Sequence, residues 1–162
     1  MANQYPFSAY DKYLCLKPDF SVWLVLVFLL RPYVVVLLSI ANRKDHTGLI
    51  NLVYSDRLAM ILAAIAAIPA IFVVYAFIKR KPDAPDKVRR IWQHGRELLL
   101  GSSFLNVLVV FLPLLTGIAR EISTVGWAQF GISAYIIYYL FTERRVRDTF
   151  ADFPQPAESD RK

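Results

Sequence analysis

LAMILAAIAAIPAIFVVYAFI, residues 58–78, is a run of twenty-one residues without a charge. As a helix rising ~1.5 Å per residue it reaches about 31 Å, the thickness of a bilayer's hydrocarbon core. Eleven of its residues are Leu, Ile, Val or Phe, and at roughly −0.3 to −0.6 kcal/mol each they favour insertion by about 3–7 kcal/mol. Working outward, three more stretches are long enough to cross: 20–41, 98–119 and 122–142. The last two are uncharged and are separated only by Arg120 and Glu121. As one straight helix they would measure about 67 Å, more than twice the core thickness, so the charged pair predicts a tight reversal at a membrane surface. Gly117 suits the helix cap before it.

The first span carries Arg31 near its middle, followed by Pro32. Fifteen of its other residues are Leu, Ile, Val or Phe, which supply roughly −4.5 to −9 kcal/mol against about +2.5 to +3.5 for a central arginine. The span survives its arginine. Pro32 cannot donate to the carbonyl of Phe28 and crowds it, so a kink is expected at Arg31-Pro32. The fold class that follows is all-α: an integral membrane protein of four transmembrane helices in one domain, residues 1–142, with a tail at 143–162.

Composition agrees. Of 162 residues 56% are apolar and 14% aromatic, and mean hydropathy is +0.40. The net charge of +6 would suggest nucleic acid in a soluble protein, but here Lys and Arg sit in loops beside the spans, where anionic lipid is the simpler partner. Nucleic acid is not expected. With four spans both ends share a side with the 79–97 loop, and that side holds fourteen of the nineteen Lys and Arg against four on the other. The excess of positive charge predicts cytoplasmic termini. The first apolar run begins only at Phe20, without a basic leader or a small-residue cleavage site, so no cleavable signal peptide is expected. Cys15 is the only cysteine, which excludes an intrachain disulfide, a thiolate cage and a Cys-x-x-Cys pair.

Between the spans, Tyr5, Phe7, Tyr10, Tyr13, Lys17 and Trp23 suit the headgroup layer as an N-terminal anchor. The 42–57 loop carries Asp45, His46 and Asp56, three mixed ligand types without a metal-site spacing, and neither a metal nor a cofactor is expected. Over about 86–97, Val88, Ile91 and Trp92 recur at helical intervals while Lys87, Arg89, Arg90 and Arg96 supply positive charge. This predicts an amphipathic interfacial helix in contact with anionic headgroups of the cytoplasmic leaflet. In the tail, Val146, Phe150 and Phe153 are expected to lie on the bilayer or on the cytoplasmic loops, and the end to be disordered.

Inside the bundle, Ser102, Asn106, Pro113 and Thr116 share one helical face, as do Gly126, Gln129 and Ser133. Measured from the cytoplasmic ends, Asn106, Arg31 and Gln129 lie at depths of about 12, 16 and 18 Å. They are the candidate polar site. Arg31 has five donors, and the spans contain no Asp or Glu. Its available acceptors are the Asn106 and Gln129 amides, the Phe28 carbonyl and water. Two readings stand: a hydrogen-bonded lock between helices, or a positive site that receives an anion or a partner's acidic residue.

Tyr10-Asp11, Leu16-Lys17-Pro18, Trp23, Arg31-Pro32, Arg43, Tyr54 to Asp56, Arg147-Asp148 and Asp152-Phe153-Pro154 together resemble domain-of-unknown-function family 2919. That resemblance implies a multi-pass protein of the bacterial inner membrane and no particular reaction. From the residues themselves a non-enzymatic accessory or scaffold role is expected, with anionic lipid or a membrane protein as partner. The alternative is a small transporter or channel with an Arg31-centred anion site. Catalysis is not expected: the spans lack the cysteine pair, Ser-His or Ser-Lys pair, or clustered aspartates that membrane-embedded enzymes need.

Overall fold

In the computed structural model, residues 5–41, 53–54, 57–117 and 120–154 are described. Among them are eight α-helices and no strand: α1 (Phe20–Leu29), α2 (Arg31–Ala41), α3 (Arg57–Ala66), α4 (Ile68–Ile78), α5 (Asp86–Gln93), α6 (Gly95–Leu115), α7 (Thr124–Thr142) and α8 (Arg144–Ala151). Among the described residues α6 alone is long and apolar enough to cross a bilayer, with a mean hydropathy of 2.3 over its most apolar eighteen residues. The pairs α1–α2 and α3–α4 meet the same test only if each is one broken span, bent by 65° and 42° respectively.

Both breaks trace to proline. Pro32 has no N–H for the Phe28 carbonyl and Pro69 none for Ile65, so each ladder loses a bond in mid-run. Side chains of the bundle bond to carbonyls at both breaks. Arg31 Nη1 donates to Phe28 O at 3.2 Å. Around the second break Tyr33 Oη donates to Ala64 O at 2.8 Å and Ser102 Oγ to Ala66 O at 2.7 Å.

Small residues along α3, α4 and the break between them line the contact with α6. Ala63, Ala66, Ala67 and Ala70 are all buried, which lets α6 approach both halves of the broken pair closely. α6 packs most extensively on α7. Thr116 and Gly117 (φ +71°) close the end of α6, and Ser123 caps α7 by accepting from Gly126 N–H at 3.1 Å. α6 therefore runs from Gly95 to Leu115 rather than over 98–119; residues 118–119 lie outside the described set. α7 is uncharged over 19 residues, but Gln129 and its tyrosines lower its hydropathy. Its place in the bundle rests on packing against α6, helped by ring contacts of Phe111 with Trp127 and Phe130 at 6.4 and 5.2 Å.

Large apolar side chains stay on the outside: Phe20, Leu24 and Val27 on α1, Ile61, Ile65 and Phe72 along α3–α4, Leu108 on α6, Tyr135 and Tyr138 on α7. That much apolar surface suits lipid and not water.

The amphipathic helix of the middle loop ends at Gln93, because His94 breaks it from α6. Its apolar face does not rest on a bilayer. Val88 and Trp92 are 3% and 1% exposed, inside the protein's own core, and Phe150 of α8 covers them with its ring 5.0 Å from that of Trp92. Gly95 makes room for this: a Cβ there would run into the Phe150 ring.

Candidate functional site

The 65° break brings the first three candidate residues together. Because α2 starts at Arg31, the guanidinium leans back over the break, where its carbon lies 4.3 Å from the centroid of the Phe28 ring. Nη2 donates to Asn106 Oδ1 of α6 at 3.1 Å and to Gln129 Oε1 of α7 at 2.9 Å. Gln129 is itself fixed from the other side, its Nε2 donating to Val53 O at 3.3 Å. Every one of these acceptors is neutral.

Tyr54, which the sequence reading placed in the family resemblance but not in the polar site, belongs to this cluster. It is 4% exposed, and its hydroxyl lies in electrostatic contact with Arg31. Among the described residues neither the Tyr54 Oη nor Arg31 Nε has a hydrogen-bond partner other than each other. Asp45, His46 and Asp56 of the same loop lie outside the described residues.

The four basic candidates for headgroup contact separate in the structure. Lys87 and Arg90 are exposed on α5. Arg89 lies over the Phe153 ring at 5.2 Å. Arg96 spends its donors inside the protein, Nε to Leu140 O at 2.8 Å and Nη2 to Phe141 O at 3.3 Å, closing the carbonyl end of α7.

A second polar cluster forms where three distant segments meet. Arg80, 8% exposed, follows α4; its Nη1 donates to Leu16 O at 3.1 Å and its Nη2 to Asp152 O at 2.9 Å. Its guanidinium carbon lies 4.6 Å from the Trp92 ring centroid, a cation–π stack. The Trp92 indole N–H is shared between Thr149 O at 3.2 Å and Asp152 O at 3.0 Å. Asp152 Oδ2 accepts from Leu16 N–H at 2.7 Å. Outside this knot Tyr5 Oη donates to Asp148 Oδ2 at 2.9 Å, and Arg145 pairs with Asp19 at 3.1 Å. Burial pulls the Arg80 pKa below its usual value, opposed by the neighbouring Cys15, Asp152 and Asp11.

This pairing of the two ends of the chain covers the region matched by a known family model. Residues 5–152 fit the model described as "Protein of unknown function (DUF2919)". The chain belongs to this family. It is also 30% identical over 141 residues to the protein described as "Inner membrane protein YfeZ" of Escherichia coli (strain K12), covering 87% of this chain and 90% of that one. No solved structure matches. Several of the described residues that carry the family resemblance gather in the two clusters. Arg31, Pro32 and Tyr54 belong to the first, and Tyr10, Leu16, Asp152 and Phe153 to the second or its immediate surroundings.

Proposed function

We propose that this chain is a four-span protein of the bacterial inner membrane, with both termini and the 79–97 loop in the cytoplasm. In this reading it acts as a non-enzymatic accessory or scaffold protein. One observation carries it: the N-terminal segment, the middle loop and the tail close on one another through Arg80, Trp92 and Asp152. Contact among these three at one end of the bundle supports an even number of crossings before, between and after them. The broken pairs α1–α2 and α3–α4, with α6 and α7, supply four.

The assembled end is basic on its outside. Lys79, Lys81, Lys87, Arg90, Arg144 and Arg147 are exposed there, which agrees with the positive-inside rule and suits an anionic leaflet or an acidic membrane partner. The absence from the spans of a cysteine pair, a Ser-His or Ser-Lys pair, or clustered aspartates supports a role without catalysis.

Reporter fusions test the orientation. Phosphatase fused at either end or at Ala84 should be inactive, and a green fluorescent protein fusion at the same points should fluoresce; activity of phosphatase at either end would overturn the topology. The scaffold role is tested by purification in native lipid and mass spectrometry of whatever co-purifies, wild type against the pair Lys87→Glu and Arg90→Glu. The charge reversal should deplete anionic lipid or a partner protein, and an unchanged set would remove this face from the proposal.

A further inference from the structure

Among the described residues, Arg31 holds a full charge beside groups that have none. Two amide oxygens, one backbone carbonyl and a ring face orient the guanidinium, and their dipoles solvate the charge without cancelling it. At membrane depth an uncancelled charge is costly, and residues that keep one are commonly found on ligand or ion paths. The donors are also incompletely used. Among the described residues, Nε–H and the hydroxyl of Tyr54 beside it are buried with no partner but each other. That contact does not satisfy both: a bond from Nε–H to the phenol oxygen still leaves the phenol proton unshared and the charge in place. One positive charge and two incompletely used donors therefore lie together.

Building on the spanning arrangement proposed above, we infer that Arg31 and Tyr54 form a binding site for a carboxylate, one of whose oxygens accepts from Arg31 Nε–H and the other from Tyr54 O–H. Asn106 and Gln129 are positioning residues in this site, since they occupy Nη2 and so fix which edge of the guanidinium remains free. The chemistry selects the ligand. A carboxylate is planar, carries a single charge opposite to that of Arg31, and has two oxygens for the Nε–H and phenol donors. A phosphate dianion would bring a second negative charge, for which the described residues of this cluster offer no cation. The carboxylate comes either from an amphiphile dissolved in the bilayer or from a small acid entering from water.

The experiment uses the full chain in nanodiscs of neutral lipid, with palmitate, acetate and phosphatidylglycerol as separate probes and binding read by native mass spectrometry and calorimetry. Wild type should bind palmitate or acetate. Tyr54→Phe, which keeps the ring and its packing, should weaken that binding about tenfold, the size expected for one hydrogen bond to a charged group. Arg31→Gln should abolish it. Palmitate binding that acetate does not displace identifies a lipid-borne acid, and displacement by acetate identifies a small one. Binding of phosphatidylglycerol but of neither carboxylate overturns the inference, as does carboxylate binding that both substitutions leave unchanged. Melting of each variant shows that it is folded, and the fusion reporters test the orientation separately, so failure of this site and failure of the topology are told apart.

Discussion

Two arginines are built into this bundle, and they are accommodated in different ways. Arg80 donates to backbone carbonyls of two other segments, stacks on Trp92, and has the carboxylates of Asp152 and Asp11 near it. Arg31 stacks on Phe28 and donates to a carbonyl and two amide oxygens, with no carboxylate among its partners in the described residues. Among those residues the Nε of each has at most one contact, with Tyr54 for Arg31 and with Cys15 for Arg80. The difference separates two uses of a buried charge. Architecture accounts for Arg80, since it joins the N-terminal segment to the tail through Leu16 O and Asp152 O. Architecture accounts for the orientation of Arg31 but not for its charge, because a neutral donor such as glutamine would also bridge two amides.

The largest expected effect falls on the Arg80 side. Trp92 is 1% exposed, carries the cation–π stack, meets the rings of Phe77 and Phe150 and holds two tail carbonyls. Trp92→Ala should cost about 3–5 kcal/mol. It should also expose the 143–154 segment to protease in detergent-solubilised protein. A tail that stays protected in this variant would mean that the cap does not depend on the stack, and the comparison would lose one of its two members.

Next comes the contrast itself. Arg80→Met removes both donors from a buried place and should cost about 1–3 kcal/mol, because the Leu16 carbonyl is left without that partner. Arg31→Gln exchanges a charge for a neutral donor and should cost about 1 kcal/mol or less, since loss of the buried charge offsets part of the lost bonding. Unfolding of both variants under identical detergent conditions checks the order. A larger loss for Arg31→Gln would reverse it, and Arg31 would then be the lock between α1–α2, α6 and α7.

How far each cluster could be read from the residues follows from the same contrast. The level shared by Arg31, Asn106 and Gln129 follows from helical rise, and the freed Phe28 carbonyl follows from the missing N–H of Pro32; both are local rules. Tyr54 escaped because it sits in a loop whose path helical periodicity does not describe. The Arg80 knot was illegible for a different reason. Its acceptors are the main-chain oxygens of Leu16, Thr149 and Asp152, and a backbone carbonyl has no letter in the sequence. The apolar faces of α5 and α8 are equally suited to lipid and to each other, so Val88 and Trp92 read as membrane-facing until Phe150 is seen to cover them. Gly95 was the available signal, a small residue where the loop helix meets α6 and a ring needs room.

The smallest effect sharpens the Arg80 side without disturbing it. Cys15 is 5% exposed, next to Leu16. Burial, and after it the charge of Asp152, push its thiol up from 9.0 to about 11, against the opposing pull of Arg80. A pKa raised by about two units lowers the thiolate fraction near pH 8 roughly a hundredfold, and the thiolate is the reacting form. Maleimide labelling of folded protein at pH 8 should therefore be slower than that of the unfolded chain by at least this factor, burial adding to it. Between pH 8 and 10 the folded rate should still climb about tenfold per pH unit, whereas the unfolded rate levels off near its ordinary thiol pKa. Arg80→Met removes the one nearby cation that favours the thiolate, so in a variant that keeps its cap the rate should fall further. A rise instead would mean that the cap has opened, and that Arg80 holds the termini together more than it tunes the charge between them.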